Sequence, residues 1–267
     1  MLISFSFLSA CIRKPEPKQV DENNPFYEKA ISFREVNEVD SSFKYFNRAK
    51  DEFLLQNDSL GAGKCLVNMG FIAKVKGDYY SSQEISLDAI AYFDESKKNQ
   101  AGYICSNFNT LGLSSYQLKD YASALKFYYD ALKFVDTPLN KFICLNNIAK
   151  AYEELKNYQE AIKIYNIVLK GTANHPAEYA MALANLSFTK WLQNPTYNPL
   201  PELLKALTIR KNENDNLGQN HSYARLADYY TNKNLDSAFI NATKMHQVAQ
   251  ELNSMDDRLS ALCFSVS

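Results

Sequence analysis

Several groups of residues in this chain are of types that carry chemistry, and their spacing decides what each can do. Gly61-Ala-Gly63-Lys64 holds the small residues and the lysine of a phosphate-cradling loop. The leading glycine of such a loop would fall at residue 58, which is Asp58, and Cys65 stands where a Ser or Thr is needed. No buried strand precedes the segment, so it reads as a turn between two helical runs. His175, His221 and His246 lie far apart in the chain, with no carboxylate or thiol at metal-ligand spacing, and read as surface or loop residues. Cys65, Cys105 and Cys144 recur near the starts of successive helical runs. Neighbouring helix axes sit about 8–10 Å apart, too far for a disulfide ladder, so these thiols are expected to be small buried hydrophobes. Tyr121, Tyr128, Tyr158 and Tyr165 fall at packing positions with no basic stripe between them, which argues for core and against a base-stacking surface. No catalytic pair, cofactor loop or metal triad emerges, and the chain reads as non-enzymatic.

The elements that position these residues follow from composition and periodicity. The 267 residues are 46% hydrophobic and 22% charged, with only 8 Gly and 8 Pro. That is ample apolar content for a folded core and few glycines for a β-sandwich or a dinucleotide-binding fold. Lys plus Arg is 29 against 30 for Asp plus Glu, so no global pull toward nucleic acid follows, and none is expected as a partner.

Self-similarity is the strongest signal. Phe108 to Leu132 recurs 37 residues later through Leu145, Ile148, Ala149, Tyr152, Asn157, Tyr158, Ala161, Tyr165 and Val168. Leu66, Met69, Gly70, Ala73, Asp78, Tyr79, Ser82 and Ala89 occupy the same frame upstream. One position reads Ala30, Gly70, Gly112, Ala149, Ser187 and Ala227, small in every repeat. A second reads Ala49, Ala89, Ala131, Val168, Ala206 and Met245. Small residues are needed where two antiparallel helices approach closely. Gly77-Asp78, Lys119-Asp120 and Lys156-Asn157 mark turns within pairs, and Asn57-Asp58, Asp136-Thr-Pro138 and Asn174-His-Pro176 mark breaks between them.

This pattern resembles the tetratricopeptide repeat in its long-period bacterial form. The resemblance implies an all-α superhelical solenoid of about six helical hairpins over residues 26–254, with residues 255–267 as a short closing or truncated helix. It also implies a concave groove, built by the first helix of each hairpin, that holds a peptide or protein ligand. Carried onto this frame, the groove positions are Asn68, Phe71, Lys74, Asn109, Leu113, Tyr116, Asn146, Asn147, Lys150, Glu153, Asn185, Phe188 and Trp191. The amides suit a peptide backbone, because Asn both donates and accepts, and Phe188 and Trp191 offer aromatic anchors. The alternative is that several of these Asn serve only helix packing. No cofactor is implied.

The amino terminus carries an address. An uncharged apolar run from Leu2 to Ala10 ends at Cys11 and gives way to a polar stretch bearing Pro15, Pro17 and Pro25. Nine residues are too few to span a bilayer but suit a signal-peptide core. Leu8-Ser9-Ala10-Cys11 resembles the lipobox of bacterial lipoproteins, which implies acylation of Cys11, a signal peptide over 1–11 and a linker over 12–25. The expectation is an exported scaffold held at a membrane by a lipid anchor. The second reading is the sensory half of a bacterial regulator or histidine kinase, truncated before its membrane helix and output domain.

Overall fold

The computed structural model describes residues 24–254. Cys11, the apolar run before it, most of the expected linker, Cys263 and the segment 255–267 lie outside the described residues. Twelve α-helices fill that span, and no strand occurs among the described residues. They are α1 (Pro25–Glu35), α2 (Val39–Leu55), α3 (Ser59–Val75), α4 (Tyr79–Ile90), α5 (Ala101–Gln117), α6 (Tyr121–Leu132), α7 (Pro138–Glu154), α8 (Tyr158–Gly171), α9 (Pro176–Gln193), α10 (Leu200–Asn212), α11 (Asn216–Tyr230) and α12 (Leu235–Ser254). None is long and apolar enough to cross a membrane, among the described residues.

Short-range chemistry cuts the chain into these pieces. Asn37, Asn57, Gly77, Lys119, Lys156 and Asn214 each adopt positive φ, between 56° and 79°, which reverses the chain in one residue. The next residue is the cap of the following helix. Asp58 accepts from the Gly61 amide at 2.8 Å, Asp78 and Asp120 from Ser81 and Ser123 at 3.1 Å, and Asp215 from Gly218 at 2.7 Å. Asn24 accepts from both Phe26 and Tyr27, and with Pro25 in the first turn it starts α1 one residue before the expected boundary.

Each helix packs on the next, so the twelve form six antiparallel hairpins. The odd-numbered helices also touch one another, α3 on α5, α5 on α7, α7 on α9 and α9 on α11. The layer in which successive helices come closer is the inner side of a curved array, so α1, α3, α5, α7, α9 and α11 line the concave wall.

Within hairpins the small positions do close packing. Ala30, Ala49, Ala89, Ala131, Ala149 and Ala206 are wholly buried. A Cβ on Gly112 would run into the ring of Tyr128, and one on Gly70 into Ser86 Oγ. Tyr128 and Tyr165 are core, as their spacing suggests, whereas Tyr121 and Tyr158 are only half-buried.

One expected turn is not a turn. Gly61 to Lys64 lies in the opening turns of α3. Its glycines serve packing, because a Cβ on Gly61 would meet Phe53 at 2.6 Å and one on Gly63 would meet Tyr92 at 2.9 Å. The break falls instead at the Asn57-Asp58 pair, where Asp58 caps the helix that starts at Ser59.

Candidate peptide-binding wall

The thirteen candidate residues all stand on the inner helices α3, α5, α7 and α9. Burial divides them into two groups. Asn68, Asn146, Glu153, Asn185 and Phe188 are each at most 9% exposed, closed off by neighbouring helices. Phe71, Lys74, Asn109, Leu113, Tyr116, Asn147, Lys150 and Trp191 keep part of their surface open.

The buried amides form a ladder that ties one inner helix to the next. Arg34 of α1 donates to Asn68 Oδ1, and Asn68 in turn donates to the Lys64 carbonyl at 2.8 Å. Asn147 donates to Asn109 at 2.9 Å between α7 and α5. Asn185 donates to Asn146 at 3.0 Å between α9 and α7, and the Thr189 hydroxyl donates to Glu153. The buried Asn68, Asn146 and Asn185 spend their hydrogen-bonding capacity inside the protein, so for them the helix-packing explanation holds. Phe188 is likewise committed, with Trp191 at 5.2 Å and the Arg225 guanidinium 4.3 Å over its ring.

Arg225 closes the ladder. From α11 it donates to Glu153 of α7 at 2.9 Å and to Asn185 of α9 at 3.5 Å, so one side chain spans three inner helices. The sequence held a signal for this: Arg225 lies two residues before the small Ala227, the slot filled by Asn68, Asn147 and Asn185 in their own repeats. A charged residue in an amide slot marks a different partner.

What remains open centres on a pocket between α3, α5 and α7. Phe71, Leu113 and Ile143 give it an apolar floor, and Asn109, Ser106 and Thr110 line it with polar groups. Cys105 and Cys144 also border it. Both are buried and free, and the Cys144 thiol donates to Cys105, which lowers the Cys105 pKa while raising that of Cys144. That contact is not expected from helix spacing alone. Side chains on facing positions close the gap that separates the axes. Cys65 stands apart, buried near Phe53 in the first hairpins.

Cations surround the pocket. Lys74 lies 4.4 Å over the Phe71 ring, and burial pulls its pKa down to about 8. Lys150 lies 5.0 Å over Tyr116, with its pKa lowered by burial and then by Arg225. His221, on α11, is open to solvent but held within the curve of the wall. Its pKa is pulled down by the enclosing protein and by Lys150, Arg210 and Arg225. His175 and His246 are exposed away from this cluster.

No protein-family model matches the chain. A stretch of 80 residues is 35% identical to the photosystem I assembly protein Ycf3 of Parasynechococcus marenigrum (strain WH8102), covering 30% of this chain and 45% of that one. Among solved structures, the apo form of the quorum sensor NprR from B. thuringiensis superposes with a TM-score of 0.72 at 14% identity, over 84% of this chain and 64% of the other. A Rap protein complexed with Competence and Sporulation Factor gives 0.69 at 12% identity, over 86% and 64%. YrrB, described as a TPR protein with an unusual peptide-binding site, gives 0.50 at 19% identity, over 74% and 90%. The fold is therefore the all-α tetratricopeptide-type solenoid.

Proposed function

We propose that this solenoid is a non-enzymatic scaffold that binds a peptide or an extended protein segment along its inner wall. The observation that carries the reading is the open pocket between α3, α5 and α7, which combines an apolar floor with a polar lining on a continuous concave surface. An extended chain laid across it would seat one side chain in the pocket and meet Asn109 and Tyr116 along its backbone. The structural likeness to a Rap protein complexed with Competence and Sporulation Factor supports a ligand-holding use of this fold.

The test is selection of random peptides displayed on phage against the full chain. Peptides are expected to be enriched, and their capture to be lost on Leu113→Gln, which places an amide on the pocket floor. Enrichment that ignores this substitution sinks the wall as the binding face.

A sensory role is the second reading, favoured by the likeness to the quorum sensor NprR. A role in assembling other proteins gains support from the partial match to Ycf3. We further propose that Cys11 is acylated and holds the exported protein at a membrane, supported by the Leu8-Ser9-Ala10-Cys11 tetrad after an apolar run. Cys11→Ala is expected to move the protein from the membrane to the soluble fraction. Identical fractionation of both forms refutes the anchor.

A further inference from the structure

Two half-buried lysines of the inner wall, Lys74 and Lys150, stand beside the pocket with no ion-pair partner among the described residues. Over the whole sequence acids and bases nearly cancel. Four lysines on the outer helices and in the turns meet carboxylates: Lys50 with Asp51, Lys76 with Asp40, Lys133 with Asp130 and Lys163 with Glu160. On the inner helices Arg34, Lys64, Lys74 and Lys150 have no carboxylate within ion-pair distance among the described residues. Lys64, Lys74 and Lys150 rest instead on the faces of Tyr103, Phe71 and Tyr116 at 4.7, 4.4 and 5.0 Å. A ring face holds a cation in place without neutralising it.

The acids near Lys150 are already engaged. Glu153 is taken by Arg225 and Thr189, and Glu154 accepts from Tyr116 at 2.9 Å and Tyr121 at 3.4 Å. Two of these cations bracket the pocket. Lys74 covers Phe71, which lines it, and Lys150 covers Tyr116, one helical turn beyond the lining residue Leu113.

Building on the binding role proposed above, we infer that the ligand of this wall is an acidic peptide segment, with one apolar side chain in the pocket between α3, α5 and α7 and carboxylates on Lys74 and Lys150. Half-buried cations without counter-ions cost free energy in the unliganded protein. A ligand that brings the counter-charges recovers that cost, whereas a neutral ligand burying the same lysines adds to it. A basic ligand meets like charge at both flanks.

The phage selection reads this directly. The expected pool is rich in Asp and Glu around a single aliphatic or aromatic residue. A fluorescein-labelled member of it should bind the full chain in fluorescence anisotropy, with Kd rising steeply toward about 1 M salt, where screening shortens to about 3 Å. Lys74→Gln combined with Lys150→Gln should weaken that binding by about tenfold or more, with a cooperative circular-dichroism melt at or above the parent's midpoint showing that the variant is folded. A neutral or basic pool that still depends on Leu113 overturns the acidic ligand and leaves the binding wall standing. An acidic pool whose Kd is indifferent to the double substitution also overturns it. A selection that enriches nothing overturns the binding wall itself.

Discussion

Lys74 shows how a single residue carries both a cost and a use. Its ammonium is set into the wall over Phe71, and burial lowers its pKa from 10.5 to about 8. The folded state therefore binds fewer protons than the unfolded state between those values, so this residue's contribution to stability rises with pH across roughly 8 to 10.5. Below that window its full penalty is present. Lys74→Met keeps the stem over the ring and removes the charge. The expected outcome is a higher urea midpoint than the parent at pH 7, and a difference that shrinks as pH rises toward 10.5. A midpoint that falls at pH 7 would show that the ammonium is stabilising there. The buried Asn68, Asn146 and Asn185 teach the complementary lesson. An Asn on an inner helix looks the same in sequence whether it faces a ligand or the next helix, and only the partner across the interface separates the two.

At the scale of the helix pair, two local devices recur with little variation. One is the left-handed residue followed by an Asp or Asn cap, which turns the chain at Asn57, Gly77, Lys119, Lys156 and Asn214. The other is the small residue in the middle of the inner helix. Gly112 against Tyr128 is its tightest case in the central hairpin, since the ring occupies the space a Cβ would need. Gly112→Leu should overpack the α5–α6 pair and cost about 1–3 kcal/mol, read as a lower denaturant midpoint. An unchanged midpoint would mean that the helices separate freely there. Both devices are legible in the amino-acid string, because each depends on residues adjacent in sequence or repeated at a fixed period. The glycines of α3 mislead for a related reason. Glycine marks a turn and a close contact equally well, and contact with Phe53 and Tyr92 is a fact about neighbouring helices.

For the whole molecule, the Arg225–Glu153 pair is the long-range tie. A solenoid is held mainly by neighbour-on-neighbour contacts, so an ion pair reaching from α11 to α7 constrains the curvature of the last three hairpins together. Arg225→Met would leave Glu153 buried with only the Thr189 hydroxyl facing it. Removing one partner of such a pair is expected to cost about 3 kcal/mol. It should also loosen the inner curve, visible as a larger radius of gyration in small-angle scattering. A variant with the parent's midpoint and radius would show that the pair is ornamental. At the far end, Leu235, Phe239 and Ile240 of α12 are more than half exposed, and the interior positions Ala227 and Met245 are less tightly enclosed than their equivalents.

The architecture is written in the linear string: the period, the small residues at helix crossings, the capped turns and hence an all-α solenoid of six hairpins. Each rests on short-range or periodic constraints that a sequence records directly. Other facts exist only in the folded molecule. Among them are which polar residues are spent internally, that Arg225 binds across three helices, that Cys105 and Cys144 face each other, and that Lys74 and Lys150 have no ion-pair partner among the described residues. They depend on residues of different hairpins meeting in space. Their distances are set by how the hairpins stack, a rotation accumulated over repeats that the period does not encode.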